Sequence, residues 1–559
     1  MDRKKSSSNK PPKTPKTRTD LSPKKTEGKS VGKKKAGASS AIFSDKPESK
    51  SRVKVSGVSS MAGDTERQKS TNNKSFPVVG IGASAGGLEA FTQLLQHLPS
   101  NTGMAFVFIQ HLNPTHESTL TEILSRATDM PVKKVEDGMP VKPNHVYVIP
   151  PNTNMGISHG VLNLIARPKT SAPHIPIDIF FRTLAEDRKS KAIGVILSGN
   201  GSDGAIGLEQ IKAEGGITFV QDEKSAKYDG MPRSAISTGY VDFILPPEGI
   251  ARELARIGTH PYVARPKTTK VDELIPESED SLRRIFTLLR VATGADFTNY
   301  KPATIKRRIL RRMALNKIDK LEDYIKYMKS NAAEVQALYQ DMLIKVTGFF
   351  RDPQAFQVLK SMVFPSIIRN RSPKEPIRIW VPGCSTGEEA YSIAICLIEF
   401  LGTTPKTNIP IQIFATDISE VAIEKARAGI YIENIVADVS QERLRRFFTK
   451  MDWGYQINKS IREVCVFARQ DVTRDPPFSK LDLISCRNVL IYLGPPLQRK
   501  VMSIFHYALK PTGFLLLGIS ETIGAASDLF ALADKKNKIY SKKAAALHPA
   551  LTLSRSVMD

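Results

Sequence analysis

Three polar residues in the first half of the chain could together form a hydrolytic site. Ser84 lies in a glycine-bracketed turn, 82–87, after an apolar run, and His111 and Asp203 follow two further apolar runs. A serine becomes nucleophilic when a base accepts its proton, and that base needs an acid to orient it. If these runs are parallel strands, the three side chains lie at one edge of a sheet, where active sites form. The pattern therefore favours a catalytic site.

The turn at Ser84 has an alternative interpretation as a phosphate-binding loop, because it nearly matches the dinucleotide-binding fingerprint. Such a loop would require an acid at the end of the second strand, whereas the chain has Gln110 and His111 there. This difference weakens nucleotide binding. Taken singly, His111 could have a structural role and Asp203 could cap its loop.

A second glycine turn, 383–387, follows another apolar run about three hundred residues later. Its glycines would let the backbone approach a ligand closely, and Glu388 begins the next helical pattern. Asp417 ends the following apolar run, where an acid is placed to accept hydrogen bonds from ribose hydroxyls. The chemistry alone leaves both a nicotinamide cofactor and S-adenosylmethionine open, although the missing GxGxxG pattern counts against nicotinamide. A tight turn with an unrelated aspartate is the structural alternative.

Apolar runs that alternate with helical patterns would position both turns, which is typical of doubly wound sheets. The fold class that we predict is α/β, with two doubly wound, mostly parallel sheet domains joined by a small helical domain. The predicted boundaries are 1–75 for a tail, 76–264 for the first α/β domain, 265–280 for a linker, 281–373 for the helical domain, 374–545 for the second α/β domain, about 428–462 for an insertion in it, and 546–559 for a second tail.

The chain has 559 residues and a formal net charge of +25, and the excess is concentrated at one end. Residues 1–75 hold 20 Lys and Arg against 7 Asp and Glu. They have few large apolar side chains, so we expect a disordered basic tail. A solubilising role and contact with an acidic partner, nucleic acid or anionic surface both remain open for it.

Cysteine usage and hydropathy limit the compartment and the chemistry. The four cysteines lie in apolar stretches without paired metal-ligand spacing, so we expect no metal site and a reducing cytoplasm. The chain lacks an apolar run approaching the roughly 18 residues that span a bilayer, so we expect no membrane insertion.

The first α/β region resembles a known family of signalling enzymes. The sequences Ile81-Gly-Ala-Ser-Ala-Gly-Gly, Gln110-His111 and Asp203-Gly-Ala are similar to those of the catalytic domain of chemotaxis protein-glutamate methylesterases (CheB type), over about residues 76–262. The resemblance implies hydrolysis of γ-glutamyl methyl esters on receptors. It assigns Ser84 as the nucleophile, His111 as the general base and Asp203 as the group that orients the imidazole.

The second α/β region and the helical region resemble chemotaxis receptor glutamate methyltransferases (CheR type) over about residues 281–543. The similar segments are Thr347-Gly-Phe-Phe-Arg-Asp, Gly383-Cys-Ser-Thr-Gly-Glu-Glu, Ala415-Thr-Asp-Ile, Gln470-Asp-Val-Thr and Cys486-Arg-Asn-Val-Leu-Ile-Tyr. The resemblance implies S-adenosylmethionine as cofactor and places Arg351 and Tyr492 near the transferred methyl. The residues that it implies for cofactor binding are Thr347, Arg351, Glu388, Asp417, Asp471, Val472, Arg487 and Asn488.

The two resemblances imply a bifunctional enzyme that sets and removes glutamyl methyl esters on methyl-accepting chemoreceptors, with a sensor kinase as a further partner. A regulatory binding module with one or both sites inactive is the first alternative. A nucleic-acid-associated protein, suggested by the isoelectric point of about 9.7, is weakened because the charge is concentrated in the tail. A helix near 304–315 carries Arg307, Arg308, Arg311 and Arg312. We expect a solvated face there, whereas the resemblance implies a surface that docks acidic receptor helices.

Overall fold

The computed structural model describes residues 76–111, 119–167, 174–264, 279–343, 346–369, 371–403 and 409–544. These residues belong to one compact unit, Asn72–Asp559. The predicted tails, 1–75 and 546–559, and nearly all of the predicted linker lie outside the described residues. None of the helices in the described ranges combines the length and the apolar composition that crossing a membrane requires.

The first α/β domain is built on a parallel sheet. Its strands are β1 (Val78–Ala83), β2 (Ala105–Gln110), β3 (Val132–Lys134), β4 (Met139–Pro140), β5 (Val146–Val148), β6 (Thr153–Ser158), β7 (Val161–Ala166), β8 (Ala192–Ile196), β9 (Ile217–Gln221) and β10 (Phe243–Leu245). Seven of them form a sheet in the order β10-β9-β8-β1-β2-β5-β3, and all its pairings are parallel. The strands β4, β7 and β6 form a small antiparallel sheet.

Helices cover both faces of this sheet. They are α1 (Gly87–Gln96), α2 (Leu120–Ser125), α3 (Pro176–Arg188), α4 (Ala205–Ala213), α5 (Gly230–Ser237), α6 (Pro247–Thr259) and α7 (Pro261–Ala264). Alternate residues of β1 belong to different cores, because successive side chains of a strand point to opposite faces. Val79 and Ile81 pack in the core that includes α1 and α6, whereas Val78 packs in the core that includes α3 and α4.

Four helices follow and share a core with the first sheet. They are α8 (Glu279–Thr293), α9 (Pro302–Leu315), α10 (Leu321–Ser330) and α11 (Ala332–Met342). Their buried residues, including Ile285, Ile309, Tyr324 and Leu338, belong to the same apolar cluster as the α1 and α6 face of the sheet. Burial of apolar surface therefore fastens the helical region to the first α/β domain.

The second α/β domain holds a mixed sheet and a small inserted one. The strands are β11 (Ile377–Pro382), β12 (Ile411–Asp417), β13 (Ile430–Ile432), β14 (Phe448–Met451), β15 (Gly454–Ile457), β16 (Cys465–Arg469), β17 (Leu481–Cys486), β18 (Leu509–Leu517), β19 (Phe530–Asp534) and β20 (Ile539–Lys542). The large sheet has the order β16-β12-β11-β17-β18-β20-β19, parallel except at β20. The inserted antiparallel sheet, β13-β15-β14, lies within the predicted insertion.

The helices of this domain are α12 (Pro353–Val358), α13 (Phe364–Ile368), α14 (Glu388–Gly402), α15 (Glu420–Ala428), α16 (Gln441–Phe447), α17 (Lys459–Arg462) and α18 (Pro495–Ala508). A π-helical segment, Leu359–Val363, joins α12 to α13, and short 3-10 turns occupy Glu433–Ala437 and Leu490–Tyr492. Phe356 and Phe364 pack in the core of the second sheet, so the chain enters this domain well before its first strand.

The predicted fold class is confirmed, with two mostly parallel α/β domains and helices between them. Strand β18 begins at Leu509, before a proline and a glycine. The pairing of β18 with β17 shifts register between Leu481 and Leu483, so the strand contains an irregularity. Pro511 and Gly513 lie in this part of the strand. Because both residue types are usually depleted in strands, the sequence does not predict a strand there.

Candidate active sites

The first sheet brings Ser84, His111 and Asp203 to one edge. The strands that precede them are adjacent in the order β8-β1-β2 and run parallel, so their carboxyl ends meet. Backbone hydrogen bonds join the three loops: the N–H of Ser84 donates to Ser198 O over 3.0 Å, and the N–H of His111 donates to Ala83 O over 3.3 Å. The structure therefore groups the residues that the spacing predicted to lie together.

His111 and Asp203 form a directed contact. His111 Nε2 lies 2.8 Å from Asp203 Oδ2, and the exposed fractions of their side chains are 29% and 4%. The Asp203 carboxylate also accepts hydrogen bonds from the N–H groups of Ile177 and Asp178, at 3.0 and 2.9 Å, at the beginning of α3. A helix N-terminus suits an anion. Because Nε2 faces the carboxylate, a role of His111 as a base would fall to Nδ1.

Close packing shapes the turn that holds Ser84. Gly86 has φ +72°, and a Cβ there would lie 2.8 Å from Ser198 Oγ. A Cβ on Gly199 would lie 2.8 Å from the Ser84 Cβ. Helix α1 begins just after the serine and has no side-chain cap on its N-terminus. The first N–H groups of a helix lack intrahelical acceptors, so they are suited to stabilising an oxyanion formed at Ser84.

Two further polar residues of this site were not predicted from the sequence. The buried Ser198 hydroxyl donates to Ala85 O over 2.9 Å and accepts from the N–H of Tyr228 over 2.9 Å, so it links the turn that holds Ser84 to the loop that holds Tyr228. The His174 ring lies 6.2 Å from that of His111, and burial is the main cause that lowers its pKa. Neither residue stands in a recognisable motif, and only the folded chain brings them to the site.

A cavity of about 500 Å³ lies at the carboxyl edge of the second sheet. All but one of the predicted transferase residues line it, namely Thr347, Arg351, Asp417, Asp471, Val472, Arg487, Asn488 and Tyr492. Glu388 is the exception. Its carboxylate accepts from Thr386 Oγ1, and burial raises its pKa to about 7. The adjacent Glu389, which we did not predict, lines the cavity instead.

The cavity fits the nucleoside part of S-adenosylmethionine. Gly383 has φ +72°, and a Cβ there would lie 2.4 Å from Val489 Cγ2, so this turn in the cavity wall requires glycine. Asp417 ends β12 and accepts hydrogen bonds from the N–H groups of Ser385 and Ser419, both at 2.9 Å. A carboxylate can accept about four hydrogen bonds, so an aspartate fixed in this way suits ribose hydroxyls.

Arg487 supports the loop that carries Arg351. Its guanidinium donates to Arg351 O over 2.8 Å, pairs with Asp352 and lies 3.5 Å from the Glu389 carboxylate. Only 2% of its side chain is exposed. The Arg351 side chain is exposed and donates to Val346 O over 3.3 Å. Arg487 therefore fixes the backbone from which Arg351 reaches the cavity.

Strained backbone surrounds this cavity. Phe350, Asp352, Ser385 and Asn488 all have positive φ, between 50° and 62°. Such angles are uncommon for residues other than glycine, and they cluster where a binding site requires a particular backbone path. The concentration of these residues in the loops that border the cavity marks it as a built site.

The first α/β domain contributes part of the cavity wall. Glu186, Gln210 and Glu214, from the ends of α3 and α4, line it together with Arg307 of α9. Burial is the main cause that raises the pKa of Tyr492. The charge of Glu214 also raises this pKa, whereas the charge of Arg351 lowers it. The candidate site for methyl transfer is thus bordered by residues of both domains.

The expectation of a solvated basic face on α9 is wrong for two of its four arginines. Arg308, which is 2% exposed, donates to Lys212 O over 2.9 Å and to Ala213 O. Arg311, which is fully buried, donates to Gly216 O over 2.9 Å and pairs with Asp242. These carbonyls lie at and beyond the C-terminus of α4, where cations are favoured. The first domain therefore occupies part of the surface that we considered for receptor docking.

Comparisons with known proteins match both halves of the chain. Residues 79–254 match the family model described as CheB methylesterase. Residues 280–343 match the all-alpha domain of CheR methyltransferase, and residues 345–539 match its SAM-binding domain. These matched ranges contain both candidate sites.

Three relatives illustrate the likeness. An uncharacterized 104.1 kDa protein of Rhodobacter capsulatus is 37% identical over 75% of this chain, which spans 46% of that protein. A putative methyltransferase of Pseudomonas putida is 33% identical over 47% of this chain and 96% of its own length. A protein-glutamate methylesterase/protein-glutamine glutaminase of Burkholderia lata is 37% identical over 33% of this chain and 55% of its own length.

The folds, the two sites and these matches define a class of enzyme in which a methylesterase domain and an S-adenosylmethionine-dependent methyltransferase share one chain. The chain belongs to the CheR methyltransferases of chemotaxis, and it carries a CheB methylesterase domain N-terminal to the two CheR domains. The chain spans less than half of the Rhodobacter capsulatus relative.

Proposed function

We propose that this chain methylates glutamate side chains of a methyl-accepting chemoreceptor and hydrolyses the resulting γ-glutamyl methyl esters. The observation that carries the proposal is the presence of both sites in one compact unit, each at the carboxyl edge of its sheet. The His111–Asp203 contact beside Ser84 supports hydrolysis, and the cavity that contains Asp417, Arg351 and Tyr492 supports methyl transfer.

The esterase reaction follows from the groups around Ser84. The Ser84 hydroxyl attacks the ester carbonyl while His111 Nδ1 accepts its proton, and the N–H groups at the beginning of α1 stabilise the oxyanion. His111 then donates the proton to the departing methoxy group, which leaves as methanol. Water attacks the acyl-enzyme with His111 again as base, and the receptor glutamate is released. Asp203 holds the imidazole throughout.

Methyl transfer requires positioning more than acid–base chemistry. S-adenosylmethionine supplies an electrophilic methyl group on a sulfonium centre. Asp417 would accept hydrogen bonds from the ribose hydroxyls, and Thr347, Asp471, Val472 and Asn488 would enclose the rest of the cofactor. Arg351 orients the substrate glutamate through its planar guanidinium, with Tyr492 beside it. The substrate carboxylate is ionised at neutral pH, so no general base is needed and alignment supplies most of the rate.

The cellular setting of this proposal is the cytoplasmic part of a chemosensory pathway. The four cysteines are buried and form no disulfide, which is consistent with a reducing compartment. A sensor kinase coupled to the receptor is the second partner that we propose, because a reversible receptor modification needs a signalling output.

Isotope labelling of receptor membranes tests the proposal. The full chain, incubated with methyl-labelled S-adenosylmethionine, should add base-labile label to receptor glutamates and then release it as methanol. Ser84→Ala should lower methanol release by about 10³-fold or more and leave incorporation unchanged, because it removes only the nucleophile.

Ser125→Ala, an exposed serine in α2, is the matched control and should behave as the parent. Release of methanol at the parent rate by the Ser84 variant would exclude this serine as the nucleophile. Failure of the parent to incorporate label into any receptor preparation would exclude the transferase function.

A further inference from the structure

Asn434 belongs to the methyltransferase half of the chain but is buried against the catalytic loop of the esterase. It lies in the 3-10 turn Glu433–Ala437, which follows the first strand of the inserted sheet, and only 3% of it is exposed. Its side-chain amide donates to Ser202 O over 2.9 Å and to Asp178 Oδ2, and its oxygen accepts from Ser202 Oγ. All three bonds cross between the two α/β domains.

The partners of Asn434 are the immediate supports of Asp203. Ser202 precedes Asp203 in the chain, and the N–H of Asp178 is one of the two backbone donors to the Asp203 carboxylate. The Asp178 carboxylate in turn accepts from the N–H of Gly207 over 2.6 Å, which ties it to the first turn of α4. The position of the Asp203 carboxylate therefore depends on a loop and a helix start that Asn434 holds together.

The amide of Asn434 donates a hydrogen bond to a carboxyl group that is buried close to a second carboxyl group. Burial, followed by the Asp203 charge, raises the pKa of Asp178, whereas hydrogen bonds from Gly207 and Asn434 act in the opposite direction. Two carboxyl groups thus lie side by side behind the imidazole. A buried acceptor that loses its donor destabilises the fold around it, so loss of the amide would favour rearrangement of this cluster.

We propose that Asn434 is a positioning residue of the methylesterase, contributed by the methyltransferase half of the chain. It aligns the Ser202–Asp203 segment and the start of α3 so that Asp203 meets His111 in the reactive orientation. This inference rests on the proposed esterase function and adds that esterase turnover depends on the contact between the two domains.

The test compares variants of the full chain in two assays of the esterase site. One is the rate at which a fluorophosphonate probe labels Ser84, and the other is kcat and KM for demethylation of methylated receptor. Asn434→Ala should lower both the labelling rate and kcat by about tenfold to a hundredfold, because small misplacements of catalytic groups have effects of this size. KM should change by less than about twofold, because buried Asn434 does not touch the substrate.

Asn434→Asp separates positioning from space filling. This side chain has the size of asparagine but presents an oxygen in place of the amide donor to Asp178 and to Ser202 O. A positioning role predicts a larger loss than for Asn434→Ala, with partial recovery when Asp178→Asn is added, because that change restores one donor and one acceptor. If Asn434 only filled space, the aspartate variant would lie closer to the parent than the alanine variant, and the proposal would be wrong.

Two further variants complete the test. Lys425→Ala removes a different bond between the domains, from Lys425 Nζ to Thr238 O at 2.9 Å, and should leave Ser84 labelling within about twofold of the parent. An equal loss in this variant would show general loosening of the interface and overturn the proposal. Ser202→Ala, which removes one bond to Asn434, should lose about threefold to tenfold even if the Asn434 variants fail to fold.

The outcomes separate this inference from the function on which it rests. If the parent is labelled at Ser84 and hydrolyses methylated receptor, parent-like kinetics in the Asn434 and Ser202 variants remove the positioning role alone. If the parent neither reacts with the probe nor releases methanol, the esterase function fails, and the positioning role fails with it. Calorimetric binding of S-adenosylhomocysteine should be the same in the parent and in every variant.

Discussion

The two sites of this chain differ in where their functional groups come from. The proposed esterase triad lies on loops after adjacent strands of one sheet, and Asn434 of the other domain contacts Ser202, the residue before Asp203. The methyl-transfer cavity is bordered directly by side chains of both domains, including Glu186 and Glu214 of the esterase domain. The three residues of the triad can thus come from the loops of one sheet. The large cavity also needs side chains from the neighbouring domain to form its wall.

The largest expected effect comes from breaking the contact between the helical region and the first α/β domain, because this contact holds together the elements that border the cavity. Arg311→Met removes a fully buried guanidinium that pairs with Asp242 of the esterase domain and, over 2.6 Å, with Asp341. Asp341 then loses this cation, whereas Asp242 keeps its pair with Lys212 at 3.1 Å. Removing one partner of a buried ion pair should lower the free energy of unfolding by about 3–5 kcal/mol. Chemical denaturation measures this change. The control Arg284→Met breaks the exposed pair with Glu322 and should cost about 1 kcal/mol or less.

The pH dependence of unfolding identifies the same contact. Burial acts to raise the pKa of Asp242, but the charges of Arg311 and Lys212 outweigh it and hold that pKa well below its usual range. The ionised carboxylate therefore stabilises the fold above a pH of about 4, and this contribution is lost as the pH falls below it. The parent should lose stability in acid more steeply than Arg311→Met. Equal slopes would contradict the assignment.

The sequence could predict the groups that one sheet brings together, but not those that the other domain contributes. Ser84, His111 and Asp203 each follow an apolar run, and the rule that parallel strands share a carboxyl edge is enough to group them. The strand order that makes their loops neighbours depends on the pairing of β1 with β8, in which Val78 lies opposite Ala192. The contact from Asn434 joins residues more than two hundred positions apart. No local pattern encodes such a contact, because a single buried asparagine has no signature in the sequence.

The basic helix shows why a charge pattern can mislead. The four arginines of α9 repeat at helical spacing, and that spacing is equally compatible with a solvated face and with a buried one. The apolar parts of Arg308 and Arg311 are buried, and their guanidinium groups bind carbonyls at the end of α4. A neighbouring helix C-terminus, which the sequence does not place there, therefore decides their environment.

Asp417→Ala tests the cofactor side of the cavity with a moderate effect. The change removes the carboxylate that we propose for the ribose hydroxyls, a loss of roughly 1.5–3 kcal/mol. Calorimetric titration with S-adenosylhomocysteine should therefore show an affinity that is about tenfold to two-hundredfold lower. Arg351→Ala is the paired comparison. It should reduce methyl transfer more than cofactor binding, because its proposed partner is the substrate carboxylate, and equal loss of binding in both variants would contradict that division of roles.

Glu388→Gln gives the smallest expected effect and decides between two adjacent acids. The resemblance assigns Glu388 to the cofactor, but its carboxylate binds Thr386 Oγ1 away from the cavity, whereas Glu389 lines the cavity and lies near Arg487. The structure therefore predicts that Glu388→Gln changes affinity for S-adenosylhomocysteine by less than about twofold, since the amide keeps the size of the side chain and an oxygen that can accept from Thr386. Glu389→Gln should weaken binding by about threefold to tenfold, because it removes the charge that faces Arg487 and loosens the loop bearing Arg351. If the Glu388 variant is the weaker binder in the same titration, the cofactor extends beyond this cavity, and Glu388 is a cofactor ligand as the resemblance implies.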